Sequence, residues 1–274
     1  MSTMMTRQKT YVLTAIAALL YVALGIIFAD DFFTGTFWNS DAIFGSTYLS
    51  WLLLAVIIIA GVWKAQQLPA EGVEIRTTVD TATGQVDDPA AWKLILGNTY
   101  FAILWLPVRF FVGQEWVAAG EHKLRGDGWM DGGAALKGFW TRATEVGDDG
   151  SSAITYGWFQ DFLKYMLDHE WYTWFAKLIA VGETLVGLGL IFGALVGIAA
   201  FFGTVLNFNF LLAGTTSTNP VLFGLTVFIV LGWKVAGFIG LDRWLLPVLG
   251  TPWKPGAAIE AHLPHHVASQ QRGA

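Results

Sequence analysis

Apolar residues in this chain come in long unbroken blocks instead of alternating with polar ones. A helix needs about 20 apolar residues to cross a bilayer. Six blocks approach or reach that length: 11–29 (YVLTAIAALLYVALGIIFA), 48–63 (YLSWLLLAVIIIAGVW), 98–120, 173–192, 196–213 and 220–240. The pattern predicts an all-α, polytopic membrane helical bundle with about six transmembrane helices. The first block is too long for the apolar region of a cleaved signal peptide, so it reads as a retained span. The pattern divides the chain into a two-helix extension (1–63), a polar loop (64–97), a four-helix core (98–250) and a flexible tail (251–274).

Local signals refine this outline. The segment VEIRTTVDTATGQV alternates around Thr83-Gly84 and predicts either a short hairpin or an irregular loop. Asp88-Pro89 reads as a helix start, with PAAWKLIL lying in the interface before the third span. Pro107 should kink that span. The long segment 121–172 is rich in Trp, a residue that favours the headgroup level. Within it Trp158, Phe159, Phe162, Leu163, Met166 and Leu167 recur at helical spacing. They form either a helix lying on the membrane or an ordinary helix packed on the loop. Gly193 opens the short connection between the fourth and fifth spans, and Asn219-Pro220 opens the sixth.

Composition agrees with the class. Hydrophobic residues make up 54% of the chain and charged residues 14%, against about a quarter charged in a soluble domain. The net charge of −5 argues against a nucleic-acid partner. There is no cysteine, and none of the five histidines falls in a span. No haem, iron–sulfur or other metal cofactor is therefore expected. Arg7, Lys9, Lys64, Arg76, Lys93, Arg243, Lys254 and Arg272 flank the N-terminus, the 64–97 loop and the tail. Those regions, and both termini, are expected on the cytoplasmic side.

Charges inside apolar spans cost a few kcal/mol and are normally paired or solvated by a wet cavity. With Glu121 and Tyr172 as outer span ends, a rise of 1.5 Å per residue puts Arg109 about 18 Å deep and Glu183 about 16 Å deep. The two are expected to pair. Glu115 lies about 9 Å deep, and Asn207 and Asn209 about 10 and 8 Å below Gly214. Lys234 either joins the deep layer or reaches toward the inner interface. The plain reading is a buried ion pair that fixes helix packing. The functional reading is an outward-opening pocket for a molecule with polar carbonyls and an apolar tail, a quinone. Asn207 and Asn209, two apart on a helix, cannot both face it. Beside the pocket, Glu121 and His122 are candidates for proton transfer.

The motifs VRFFVGQEWVAAGEHKL (108–124), WMDGGAALKGFW (129–140), YGWFQDFLKYML (156–167), AVGETLVGLGLIFG (180–193), NFNFLLAG (207–214) and WKVAGFIGLDRWLLP (233–247) stand in an order that resembles the DoxX/DoxD family of small membrane proteins. The resemblance covers about 95–250 and implies a four-helix core, with 1–63 as an addition. It also implies a role like the large membrane subunit of thiosulfate:quinone oxidoreductase in a prokaryotic cytoplasmic membrane. That enzyme joins thiosulfate into tetrathionate and reduces quinone. The implied partners are the bilayer, membrane quinone and a second redox subunit. On this reading Arg109, Glu115, Glu183, Asn207 and Asn209 serve the quinone, Glu121 and His122 the protons, and Lys123, Arg125 and Lys137 the anionic substrate. The rival expectation is a non-catalytic scaffold or anchor for a soluble redox partner. A transporter is a weaker third, since inverted repeats and broken helices are not evident.

Overall fold

The computed structural model describes residues 2–29, 32–33, 47–76, 88–148 and 150–250. The Thr83-Gly84 turn, most of the 30–46 loop and the 251–274 tail lie outside the described residues. The structure is mostly helical. Its long helices are α1 (Arg7–Phe28), α2 (Thr47–Gln66), α4 (Trp105–Arg125), α7 (Tyr172–Phe192) and α8 (Val196–Leu212). Shorter ones are α3 (Ala90–Gly97), α5 (Ala134–Thr144), α6 (Gly157–Asp168), α9 (Asn219–Leu231), α10 (Trp233–Ala236) and α11 (Asp242–Leu249).

Helices α1, α2 and α7 are each long and apolar enough to cross a membrane. A fourth candidate is α3 taken with Thr99–Arg125, which are bent by 72°. The six full-length spans expected from the blocks are thus three, or four with the bent pair, among the described residues. Two of the later helices are shorter: α8 has 17 residues, close to its block of 196–213, and α9 has 13. Helix α9 stops at Gly232, where the ring of Trp105 fills the space a side chain would need. Pro107 falls in the first α-helical turn of α4, directly after a 3-10 turn over Thr99–Leu104. The 72° bend lies at Asn98, whose side chain accepts from Tyr100 N at 2.9 Å. Asp88 does not cap α3; extended Pro89 precedes its first helical residue.

The helix with the most charge sits in the middle. Every residue of α4 from Trp105 to Gln114 is buried. The outer faces of α1 and α2 carry the apolar exposure, with Leu19 at 69% and Ile59 at 66%. That arrangement is the one lipid favours, since polar side chains then meet protein and not hydrocarbon. Helices α4 and α7 pack antiparallel through small residues, as close helix contact in membranes favours. A side chain at Gly120 would strike Thr184, one at Gly187 would strike Val117, and one at Gly113 would lie 2.8 Å from Ile191.

The N-terminal segment is tied to this core. Tyr21 donates to Gln114 Oε1 at 3.0 Å, and Gln114 donates to Ser50 Oγ at 2.7 Å. This buried chain joins α1, α4 and α2. Helix α1 also lays Thr14 against Gly61 of α2. The strand β2 (Val73–Arg76) pairs antiparallel with β1 (Ser2–Met5), Met5 opposite Val73 and Ser2 opposite Arg76. The first strand of the expected hairpin thus pairs with the segment before α1, and its second strand lies outside the described residues. Met5, Ile75 and Leu68 form a small core beneath it.

Beyond the end of α4, α5 and α6 form a second layer. Leu136 and Trp140 of α5, Phe159, Leu163 and Met166 of α6, and Ala176 of α7 make its core. Of the predicted α6 stripe, Phe159, Leu163 and Met166 are buried, while Trp158 and Phe162 stay exposed.

Candidate functional site

The register of α4 against α7 decides which charges meet. Gly120 lies opposite Thr184, Val117 opposite Gly187 and Gly113 near Ile191. Continuing that register places Arg109 opposite the end of α7, about 12 residues or 18 Å from where Glu183 sits. The expected Arg109–Glu183 pair does not form. The depth count took Glu121 and Tyr172 as level, but α7 runs well past the end of α4 to carry the second layer.

Arg109 instead binds backbone. Its Nε donates to Leu190 O at 2.8 Å and its Nη2 to Ile191 O at 3.0 Å. Its Nη1 donates to Ala236 O at 2.7 Å and Ile239 O at 3.0 Å. Leu190 and Ile191 close α7, Ala236 ends α10, and Ile239 lies in the turn after it, where helical donors run out. Asp242 performs the complementary task at the start of α8, accepting from Leu195 N at 2.6 Å and Val196 N at 2.9 Å. Burial pushes the Asp242 carboxyl up from the usual aspartate range, while those two N–H donors and the Arg109 charge pull it down. Gly193 has a φ of 67° and leaves no room for a side chain, since Arg109 Nη2 would lie 2.6 Å from its Cβ. Arg109 and Asp242 together lock the α7–α8 turn to α10 and α11.

Glu183 pairs with Lys123, whose Nζ lies 2.7 Å from Oε2. The carboxylate is buried and the lysine side chain is 14% exposed. Lys123 Nζ also sits 5.1 Å from the centre of the Trp129 ring. This pair forms one wall of a pocket of about 560 Å³ that also holds Glu115, Trp116, Arg142 and Asn219. Glu115 is half-buried there and accepts no hydrogen bond from a described residue. Beside it runs an apolar groove of about 630 Å³ between the second layer and α7 and α8, lined by Trp140, Phe162, Leu185, Phe202 and Val205 among others. Phe139 and Phe210 border both spaces, their ring centres 6.4 Å apart.

The remaining predicted residues scatter. Glu121 is buried and pairs with exposed Arg125 at 2.8 Å. His122 is exposed on the other side of that turn. Lys137 lies over the Tyr172 ring at 5.0 Å. Neither Arg125 nor Lys137 lines the pocket, so Lys123 stands apart from them. Asn209 is exposed, donates to Val205 O at 2.8 Å and borders the apolar groove. Asn207 is fully buried between helices. Lys234 is exposed. Sequence reasoning missed Trp116, Trp129, Arg142 and the Tyr21–Gln114–Ser50 chain. A polar residue inside each of three apolar blocks signalled that chain, but nothing in the spacing joined them. No group of three His, Cys, Asp or Glu among the described residues is placed to hold a metal ion. No protein-family model, curated protein or solved structure matches this chain.

Proposed function

We propose that this chain is a membrane-embedded quinone-binding subunit of an oxidoreductase acting on thiosulfate or a related sulfur compound. The observation that carries the quinone part is the pairing of two adjoining spaces of opposite character. The smaller holds Glu115, Lys123 and Glu183 and suits a polar ring. The larger is lined by aliphatic and aromatic side chains and suits an isoprenoid tail. Pockets of this size, largely apolar with a few convergent polar groups, are the usual form of small-molecule sites. Phe139 and Phe210 would hold the junction of ring and tail. Glu115, free of any partner among the described residues, is the group best placed to exchange a proton with the ring. Lys123, held by Glu183, would donate to an oxygen on it. The sulfur donor, the second redox subunit and the prokaryotic cytoplasmic membrane rest on the DoxX/DoxD resemblance, as does a four-helix core.

The test uses the purified full chain in lipid nanodiscs. Solvent extraction should release co-purified quinone, and added decylubiquinone should bind saturably. Glu115→Gln and Lys123→Met should each weaken that binding about tenfold, a loss of about 1.4 kcal/mol. Unchanged binding in both variants removes the basis of the reading. Thiosulfate-dependent reduction of decylubiquinone tests the donor separately. The anchor reading is favoured by the exposed aromatic residues Tyr156, Trp158 and Tyr165 beside α6, and it predicts no quinone binding at all.

A further inference from the structure

Three polar atoms deep in the bundle have no hydrogen-bond partner among the described residues: Trp116 Nε1 and both amide atoms of Asn207. Their neighbours in the core fare differently. Arg109, Gln114, Tyr21, Ser50 and Glu183 are all hydrogen-bonded. Buried polar groups left unpaired are rare, and inside a membrane bundle a polar side chain is a functional candidate by default.

The indole N–H of Trp116, on α4, reaches α8 at Gly203, one turn before Asn207. A side chain at Gly203 would sit 3.2 Å from Trp116 Nε1 and 3.5 Å from Thr226 Cγ2 of α9. The Thr226 hydroxyl donates to Leu222 O at 2.7 Å, and it makes no hydrogen bond with these three atoms. This place adjoins the polar pocket. The Trp116 ring lines that pocket, and so do Phe210, three residues past Asn207, and Leu222, four before Thr226.

We propose that Trp116 and Asn207 form a deeper seat of the polar pocket that takes a carbonyl oxygen of the bound ligand. This rests on the quinone reading and adds the residues that orient the ring. The indole N–H and the amide NH₂ both donate to that oxygen, and Asn207 Oδ1 accepts from the hydroxyl when the ligand is in its reduced form. A ring entering past Glu115 and Lys123 is then held at opposite ends. The ligand class is a cyclic dione with an apolar tail, read by donors at the inner end.

The test compares wild type, Asn207→Leu and Trp116→Phe, each as full chain in nanodiscs, with three probes. Decylubiquinone carries ring carbonyls and a tail, dodecan-2-one a lone carbonyl, and decylbenzene none. Both variants should bind decylubiquinone and dodecan-2-one at least tenfold more weakly and decylbenzene as wild type does. Without ligand, Asn207→Leu should melt at or above the wild-type temperature, because it removes an amide that has no partner. Equal affinities for the carbonyl probes in wild type and both variants overturn the seat. So does equal weakening of all three probes with a lowered melting temperature, which marks a structural role through internal water. If wild type ignores decylubiquinone but binds dodecan-2-one through Asn207, the quinone reading fails and the seat stands. If it binds neither, both fail. Trp116→Phe, which removes the indole N–H and keeps an aromatic ring at the site, decides the matter if Asn207→Leu does not fold.

Discussion

Replacing Arg109 with Met separates a structural role from a ligand role, because the two make opposite forecasts. Met keeps an apolar stem but removes the guanidinium. Four carbonyls then lose their donor: Leu190, Ile191, Ala236 and Ile239, at 2.7 to 3.0 Å. A hydrogen bond from a charged donor contributes about 1.5–3 kcal/mol. Four would sum to roughly 6–12 kcal/mol, but burying the cation itself costs several. Removing one partner of a buried charged network costs about 3–5 kcal/mol in practice. We therefore expect about 4 kcal/mol of destabilisation, a fall of roughly 10 °C in Tm at 2–4 °C per kcal/mol for a chain of this size. Tryptophan fluorescence reports the melt directly, since the chain has 14 tryptophans. Arg109→Lys should fall between the two, because an ammonium cannot fork across two pairs of carbonyls. Below its own Tm, Arg109→Met should bind decylubiquinone within about twofold of wild type, a difference under 0.5 kcal/mol. A variant that melts with wild type but no longer binds would refute this account and return Arg109 to the ligand site.

Three further outcomes are expected. Lys123→Met leaves Glu183 buried beside no cation and should cost about 3–5 kcal/mol, whereas Lys123→Met with Glu183→Leu should recover most of that in the same melt. Gly120→Val drives a side chain into Thr184 at a close approach of α4 and α7; it should abolish a monodisperse peak in size-exclusion chromatography, and a normal peak would show that the approach is not needed. Asp242→Ala removes both acceptors at the start of α8 and should cost about 1–2 kcal/mol, with Asp242→Asn recovering part of it.

The helical class, the apolar outer faces and the general place of the polar residues were legible in the sequence. They follow from how many apolar residues stand in a row, and that is local information. Pairing was another matter. The antiparallel register of α4 and α7 depends on where small residues let two backbones touch, and that slid Glu183 away from Arg109 and onto Lys123. At the end of α9, Gly232 packs on the Trp105 ring, contributed by a residue far away in the chain. The first strand of the 64–97 loop found its partner at Ser2–Met5, a choice no local turn signal encodes. By itself, then, the sequence determined that charges must be buried among apolar helices. Only the tertiary structure decided which charge meets which group, because a helix fixes the spacing of its own side chains but not its slide along a neighbour.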